Sequence, residues 1–330
     1  MPEPSRVRQE IDDLFPQTTA WVRNRSSAVL LPCYNEAVAI GAVIEGFRRA
    51  LPAARIYVYD NNSTDGTLAE AARAGAIVRS EPYQGKGNVV RRMLADIDAD
   101  IYLLADGDGT YDPTAAGMLI DTLVGQNLDM IVGARDGGDA AYRRGHRTGN
   151  RLFNRIVAGL FGPGFSDILS GYRVLSRRFA KSFPVTSSGF EIETELSVHA
   201  LDLKIATREV PLPYGARQQG SYSKLRTWRD GFRILMTIMM LIKELQPFRF
   251  FGAIAGLLAL VSVSLGLPLL GTYLETGLVP RLPTAILAAT VMQLGSLGFA
   301  CGLVLDSLSR SRREAKRMRY LDLQSVGDKT

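Results

Sequence analysis

Ile101-Tyr102-Leu103-Leu104-Ala105-Asp106-Gly107-Asp108-Gly109-Thr110 decides how this chain is read. Its apolar first half makes a short buried strand, and two carboxylates two residues apart follow at the carboxyl end. The glycine between them permits an unusual backbone, so Asp106 and Asp108 can converge on one hard divalent cation, Mg²⁺ or Mn²⁺. Such an ion takes one or two protein carboxylates and completes its shell with phosphate oxygens and water, which suits a nucleotide diphosphate. Asp-Gly pairs are also common turns, and in isolation the motif reads more often as a turn than as a metal site.

Outward from this stretch, apolar runs at Ala28 to Leu31, Ile56 to Tyr59, Ala76 to Arg79 and Met130 to Gly133 alternate with helical patterns at Glu36 to Ala50, Leu68 to Ala74, Asn88 to Ile97 and Pro113 to Gly125. The alternation predicts an α/β fold of successive βα units, a mostly parallel sheet covered by helices. Open parallel sheets bind ligands beyond the carboxyl ends of their strands. The residues there are polar: Pro32-Cys33-Tyr34-Asn35-Glu36, then Asp60 to Thr67, Gln84-Gly85-Lys86-Gly87, and Arg135-Asp136. Asp60 and its neighbours either read a nucleobase and ribose or cap a turn. Gly85-Lys86-Gly87 opens a helix, with backbone donors and an ammonium near phosphate or base. Asn88 and Ser80 break the P-loop pattern, and the third glycine of a dinucleotide fingerprint is missing.

The chain has 330 residues with 39 Lys plus Arg against 33 Asp plus Glu, a net charge of +6. Composition excludes collagen, disorder and a disulfide scaffold; Cys33 and Cys301 suggest no disulfide framework. His146 and His199 have no Cys or second His at zinc-site spacing. Phe250 to Leu274 and Leu282 to Leu305 carry no charge. At about 1.5 Å per residue each makes a helix of roughly 36 to 38 Å, enough for a hydrocarbon core of about 30 Å. Met1 to Ser27 holds no apolar run of the signal-peptide kind. Arg310, Arg312, Arg313, Lys316, Arg317 and Arg319 follow the second span and Lys243 and Arg249 precede the first, which places both ends in the cytoplasm. Gly252 to Gly256 and Gly298 to Gly302 have small-xxx-small spacing, able to pack the hairpin or support a homo-oligomer. The apolar run Ile234 to Ile242 follows Arg226, Arg229 and Arg233, is too short to span, and is expected to lie in the membrane interface.

Taken in order, the strand-end motifs Pro32 to Glu36, Asp60 to Thr67, Gly85 to Gly87 and Asp106 to Asp108 resemble family 2 glycosyltransferases of GT-A fold. Val132 to Arg135, Asn150 to Asn154, Asp167 to Arg173 and Arg217 to Lys224 resemble the subgroup that transfers sugars to polyprenyl phosphates, the dolichyl-phosphate mannose synthase relatives. The resemblance covers about residues 28 to 245. It implies that Pro32, Tyr34, Glu36 and Asp60 surround the nucleotide's base and ribose with Lys86 beside them. Asp106 and Asp108 hold the diphosphate through metal. Arg135, Arg173, Arg217 and Lys224, with Ser223, meet the acceptor phosphate or the departing diphosphate. Thr110 stands where relatives carry Gln, which leaves a third metal contact open. Asp167 either orients the acceptor, acts on the sugar, or buttresses Arg173. Glu191 or Glu193 either faces the sugar or answers the helix dipole.

The expected organisation is an extension at 1–27, a catalytic domain at 28–227, an interfacial helix at 228–247, a transmembrane hairpin at 248–308 and a basic cytoplasmic tail at 309–330. The expected activity is inverting transfer of a hexose from a nucleotide sugar, UDP-glucose before GDP-mannose, to undecaprenyl or another polyprenyl phosphate at the inner (plasma) membrane. Processive polysaccharide synthases on this fold carry a Gln-x-x-Arg-Trp motif, not found here, and need more membrane helices. Transfer to a hydroxyl requires an unmistakable base. Nucleic acid is not an expected partner, because the basic residues cluster beside the membrane segments and favour lipid headgroups.

Overall fold

The computed structural model describes residues 25–136, 159, 165–215, 236, 239, 240 and 242–328. The chain divides into two units, Met1–Gly231 with Lys316–Thr330, and Phe232–Ala315. In the first unit, β1 (Ser27–Cys33), β2 (Arg55–Asp60), β3 (Ile77–Ser80), β4 (Ile101–Leu104), β5 (Met130–Asp136), β6 (Arg173–Ser176) and β7 (Thr207–Pro213) form one seven-stranded sheet of order β3-β2-β1-β4-β6-β5-β7. β1 pairs in parallel with β2 and β4, β2 with β3, and β5 with β7, whereas β6 runs antiparallel between β4 and β5.

β1 is central and buried on both faces, which is why Ala28-Val29-Leu30-Leu31 reads as a continuous apolar run without alternation. Helix α1 (Ile40–Ala50) buries Ile40, Val43, Ile44 and Phe47, one stripe at helical spacing, and carries Arg48 and Arg49 at its dipole-favoured end. Burying such a side chain contributes about 1.5–3 kcal/mol, and Phe47→Ala would cost about 3–5 kcal/mol. The helix starts four residues later than its sequence pattern, because residues 35–37 are stitched to the neighbouring loop: Asn35 has φ 55°, and the Glu36 amide donates to Thr67 Oγ1 at 2.8 Å. Helices α2 (Thr67–Arg73), α3 (Lys86–Asp96) and α4 (Ala116–Gly125) follow near the expected positions. Sequence periodicity missed β6, helix α5 (Arg177–Ser182) and β7; four buried residues in β6 show no alternation to detect. Helix α6 (Ile192–Asp202) is buried on nearly every side.

In the second unit, helices α7 (Pro247–Thr276) and α8 (Leu282–Leu321) are long and apolar enough to cross a membrane. Ala288, Gly295, Gly302 and Ser309 of α8 are buried at an unbroken seven-residue spacing, matched by Ala255 and Ser262 of α7. Small residues let the two backbones approach, and Ser262 Oγ donates to the Ala288 carbonyl at 2.7 Å. The packing seam therefore runs through this heptad; Gly252, Gly256 and Gly298 have no neighbour within 4 Å of a Cβ position.

The stretch expected to be a basic tail is helical through Leu321, and from Lys316 onward it clusters with the first unit. Tyr320 Oη donates to Asp129 Oδ2 at 2.5 Å, and the Arg178 guanidinium lies 4.3 Å from the Tyr320 ring centroid. Arg317 donates to the Leu203 carbonyl at 3.0 Å, Arg25 donates to the Val326 carbonyl at 2.7 Å, and Val326 joins the main hydrophobic cluster. These contacts lie at the edge where the parallel strands begin, opposite the edge where β1, β2 and β4 end.

Candidate active site

The parallel register brings the ends of β1, β2 and β4 to one edge, and antiparallel β6 returns to the same edge, with Leu104 opposite Arg173. The segment Ser170-Gly171-Tyr172 therefore lies beside Asp106. A Cβ at Gly171 would stand 2.8 Å from Asp106 Oδ2 and 3.1 Å from Lys86 Nζ, so only glycine admits this approach. Its amide donates to Tyr111 Oη at 2.8 Å.

Lys86 begins α3 and bridges two carboxylates, donating to Asp106 Oδ1 and Glu193 Oε1. Burial alone would lower the Lys86 ammonium, but Asp106 and Glu193 hold it above the ordinary lysine value; burial pushes the Glu193 carboxyl up against the pull of Lys86. Lys86 is thus a partner of the carboxylate cluster. The backbone donors expected to serve a phosphate at the α3 start are engaged: Gly85 N donates to Asn61 Oδ1 at 2.6 Å and Asn88 N to the Ser188 carbonyl at 3.3 Å. That carbonyl and the Ser187 carbonyl sit where a Cβ at Gly85 or Gly87 would be, at 2.1 and 2.3 Å.

Asp106 keeps 30% of its side chain exposed, and Oδ2 accepts no hydrogen bond among the described residues. Asp108 is buried and accepts from Thr110 N at 3.1 Å and Thr110 Oγ1 at 2.6 Å. The Thr110 hydroxyl is turned onto Asp108, so that position locks a carboxylate in place. At the end of β2, Asp60 is buried; Oδ2 accepts from Ser63 N at 3.1 Å, while Oδ1 has no partner among the described residues. Tyr34 is exposed, Pro32 half-buried and Glu36 buried on the adjoining loop, which is tied to residues 63–67 by Asn35 and Glu36.

Arg135 and Asp167 form a two-point ion pair, Nε to Oδ2 and Nη2 to Oδ1, each 2.7 Å. Asp167 therefore holds Arg135 and not Arg173, and its own amide donates to Glu209 Oε1 at 2.8 Å. Arg173 is not presented to a ligand: it is fully buried, and it donates to the carbonyls of Ser170, Ile168 and Glu193 at 3.0, 2.7 and 2.9 Å and to Ser197 Oγ at 2.9 Å. Burial lowers its guanidinium to about 10. Its work is to fasten the 168–171 loop to the start of α6, which a run of Ser-Gly-Tyr-Arg does not disclose. Glu195 caps the 186–187 loop, accepting from Thr186 N at 2.8 Å and Ser187 N at 2.9 Å. Arg217, Ser223 and Lys224, the Arg-rich stretch 137–155 and most of 234–242 lie outside the described residues.

A family model described as Glycosyl transferase family 2 matches residues 28–183. The chain is similar to Glycosyltransferase AglJ of Haloferax volcanii, 39% identical over 248 residues covering 74% of this chain and 80% of that protein. It is similar to the Dolichyl-phosphate hexose transferase of the same organism, 28% identical over 219 residues, 66% of this chain and 94% of that one. The Polyprenol monophosphomannose synthase of Mycolicibacterium smegmatis is 26% identical over 217 residues, 58% and 78% of the two chains. In fold, the chain matches the glucosyl-3-phosphoglycerate synthase of Mycobacterium tuberculosis, solved with Mn²⁺, UDP and phosphoglyceric acid, at TM-score 0.57 and 24% identity over 69% of this chain and 81% of that one.

Proposed function

This chain belongs to glycosyl transferase family 2, and from that premise we propose that it is a membrane-bound, inverting hexosyltransferase whose acceptor is a polyprenyl phosphate and whose donor is UDP-glucose, with GDP-mannose second. The observation that carries this is the carboxylate cluster at the end of β4. Asp106 and Glu193 share a single ammonium, Lys86, and Asp106 Oδ2 accepts no hydrogen bond among the described residues, with buried Asp108 two residues on. The Lys86 group holds two carboxylates and one ammonium. No three metal-binding side chains converge among the described residues, the donor set expected when phosphate oxygens complete the shell of Mg²⁺ or Mn²⁺. The residues fit such an ion: Asp106 and Asp108 would hold it, and when bound it supplies charge stabilisation to a departing nucleotide diphosphate. The relatives named for dolichyl and polyprenol phosphates, together with two helices able to cross a membrane, support the lipid acceptor.

The acceptor's chemistry simplifies the reaction. A phosphate monoester is largely doubly ionised near neutral pH, its second pKa being about 6, so its oxygen needs no general base. That oxygen attacks the anomeric carbon, the bond from this carbon to the diphosphate oxygen breaks, and the electron pair leaves with the nucleotide diphosphate, inverting the centre. The chain's task is placement and charge management. Asp60, with its unpartnered Oδ1, Pro32, Tyr34 and Glu36 bind base and ribose. Arg135, held in orientation by Asp167, faces the phosphates, and Arg217, Ser223 and Lys224 take the acceptor phosphate. The catalytic unit works on the cytoplasmic face of the inner membrane, close to lipid headgroups. Radiolabel transfer from UDP-glucose, UDP-galactose, UDP-N-acetylglucosamine and GDP-mannose to undecaprenyl phosphate, with and without Mg²⁺ or Mn²⁺, tests this. A labelled lipid formed only with metal supports it; nucleotide binding with no lipid product from any donor overturns the acceptor assignment.

A further inference from the structure

Glu193 lies on the first turn of α6, yet its carboxylate is turned inward and is 4% exposed. Oε1 accepts from Lys86, and Oε2 is buried with no partner among the described residues. A half-satisfied buried carboxylate is costly, and an amide or apolar side chain at this position would avoid the cost. Tying down the preceding loop does not explain it, since Glu195, two residues on, does that work with both oxygens bonded to Thr186 and Ser187. The helix dipole does not explain it either, because that interaction is available at the surface.

What Glu193 touches is the one cation bonded to Asp106 among the described residues. Both ends of the bridge are fixed from behind: Lys86 by the Gly85–Asn61 bond and the carbonyls packed on Gly85 and Gly87, and Glu193 by Arg173 on its main-chain carbonyl. Were Lys86 bonded to Asp106 alone, the two would form a neutral pair that attracts a cation weakly. Shared with Glu193, the trio carries two carboxylates on one ammonium, and Asp106, 30% exposed, has Oδ2 beside Gly171 with no hydrogen bond among the described residues.

We infer that Glu193 is a positioning residue for Asp106, acting through Lys86: by sharing that ammonium it keeps Asp106 open and negatively charged toward a divalent cation and the donor's diphosphate. This rests on the donor site proposed above. A sugar-contacting Glu193 would act on its own, and a double-mutant cycle separates the two.

The test is Mn²⁺ binding by electron paramagnetic resonance titration of the full chain in detergent with UDP present, alongside KM and kcat for the donor. The variants are Glu193→Gln, Lys86→Met, the double variant, and Asp106→Asn. The expected result is Mn²⁺ affinity at least tenfold weaker in Glu193→Gln, donor KM raised more than kcat falls, and less than a twofold further loss when Glu193→Gln is added to Lys86→Met. Mn²⁺ affinity within twofold of the parent in Glu193→Gln, or the same loss with Lys86→Met as without it, overturns the inference and leaves the donor site standing. A parent protein that binds no Mn²⁺ with UDP, matched by Asp106→Asn, overturns the donor site and the inference together. Should Glu193→Gln alone not fold, the comparison of Lys86→Met with the double variant still decides, with an added loss above twofold counting against it.

Discussion

Asp60 and Glu193, at the edge where the parallel strands end, each keep a buried carboxylate oxygen without a partner among the described residues. At the opposite edge, where β5 begins, Asp129 is buried as deeply and has both oxygens bonded twice. Oδ1 accepts from Ser176 Oγ and Arg178 Nε at 2.7 and 3.0 Å, and Oδ2 from Arg178 Nη2 and Tyr320 Oη at 2.8 and 2.5 Å. One sheet thus treats the same chemical group in two ways. Where charge serves the fold, its bonds are closed within the chain; at the proposed donor site, some are left open among the described residues.

The largest effect that sharpens this contrast is at Asp108. Asp108→Ala is expected to lower sugar transfer by about 10³-fold, the scale of losing one preorganised electrostatic contact. The effect on thermal melting should be much smaller than that on transfer, since Asp108 accepts from Thr110, only two residues away. Asp129→Ala should do the reverse. Arg178 loses its buried counter-ion and Tyr320 its acceptor, so denaturant unfolding should show a loss of about 3–5 kcal/mol. A melting point within a few degrees of the parent would break the contrast. Asp60→Asn is expected to weaken UDP binding about tenfold by calorimetry while leaving stability unchanged or raised, since it removes a buried charge with one unpartnered oxygen. Destabilisation without loss of UDP affinity would reassign Asp60 to the fold.

His199 is the exception at the other end. Its ring lies between Phe179 and Phe183 with both nitrogens buried and unpartnered among the described residues. Burial, and then the charge of Lys316, hold it down to about 3, against 6.5 in an unfolded chain. From pH 6.5 downward the unfolded state takes up a proton that the native ring refuses. Stability therefore falls as pH drops through this window toward 3, by about 1.4 kcal/mol per unit, and is free of the penalty above it. His199→Leu should gain about 2 kcal/mol on the parent between pH 7.5 and 5, measured by denaturant titration at each pH. Equal pH slopes in the two proteins would mean that the ring finds a partner in solution.

The parallel half of the sheet and the Asp106-Gly107-Asp108 end were legible in the sequence because apolar runs and polar strand ends alternate there without interruption. β6 was not, since a four-residue buried strand between β4 and β5 has no period, and without it nothing brings Gly171 to Asp106. Arg173 was assigned to a phosphate because an arginine after Ser-Gly-Tyr looks the same in sequence whether it faces a ligand or the interior. Glu193 was visible only as one of several first-turn carboxylates, because its burial depends on Lys86, 107 residues away. Residues 309–330 read as a basic cytoplasmic tail. The apolar residues within it, Met318, Tyr320, Leu321, Leu323 and Val326, are too few and too scattered among charges to mark a packed face.

The bond from Arg25 to the Val326 carbonyl joins residues 301 positions apart, and that separation sets an order in time. A ribosome adding about 5–20 residues per second releases every strand of the sheet well before Val326, and both long apolar helices come out in between. The hydrophobic cluster that includes Val326 is left unfinished through that interval. The contacts that Val326 makes with the first unit therefore form only after both long apolar helices have been synthesised. A chain released early, short of its final dozen residues, would lack the closing contacts of Tyr320 and Val326 and present an open core to proteases.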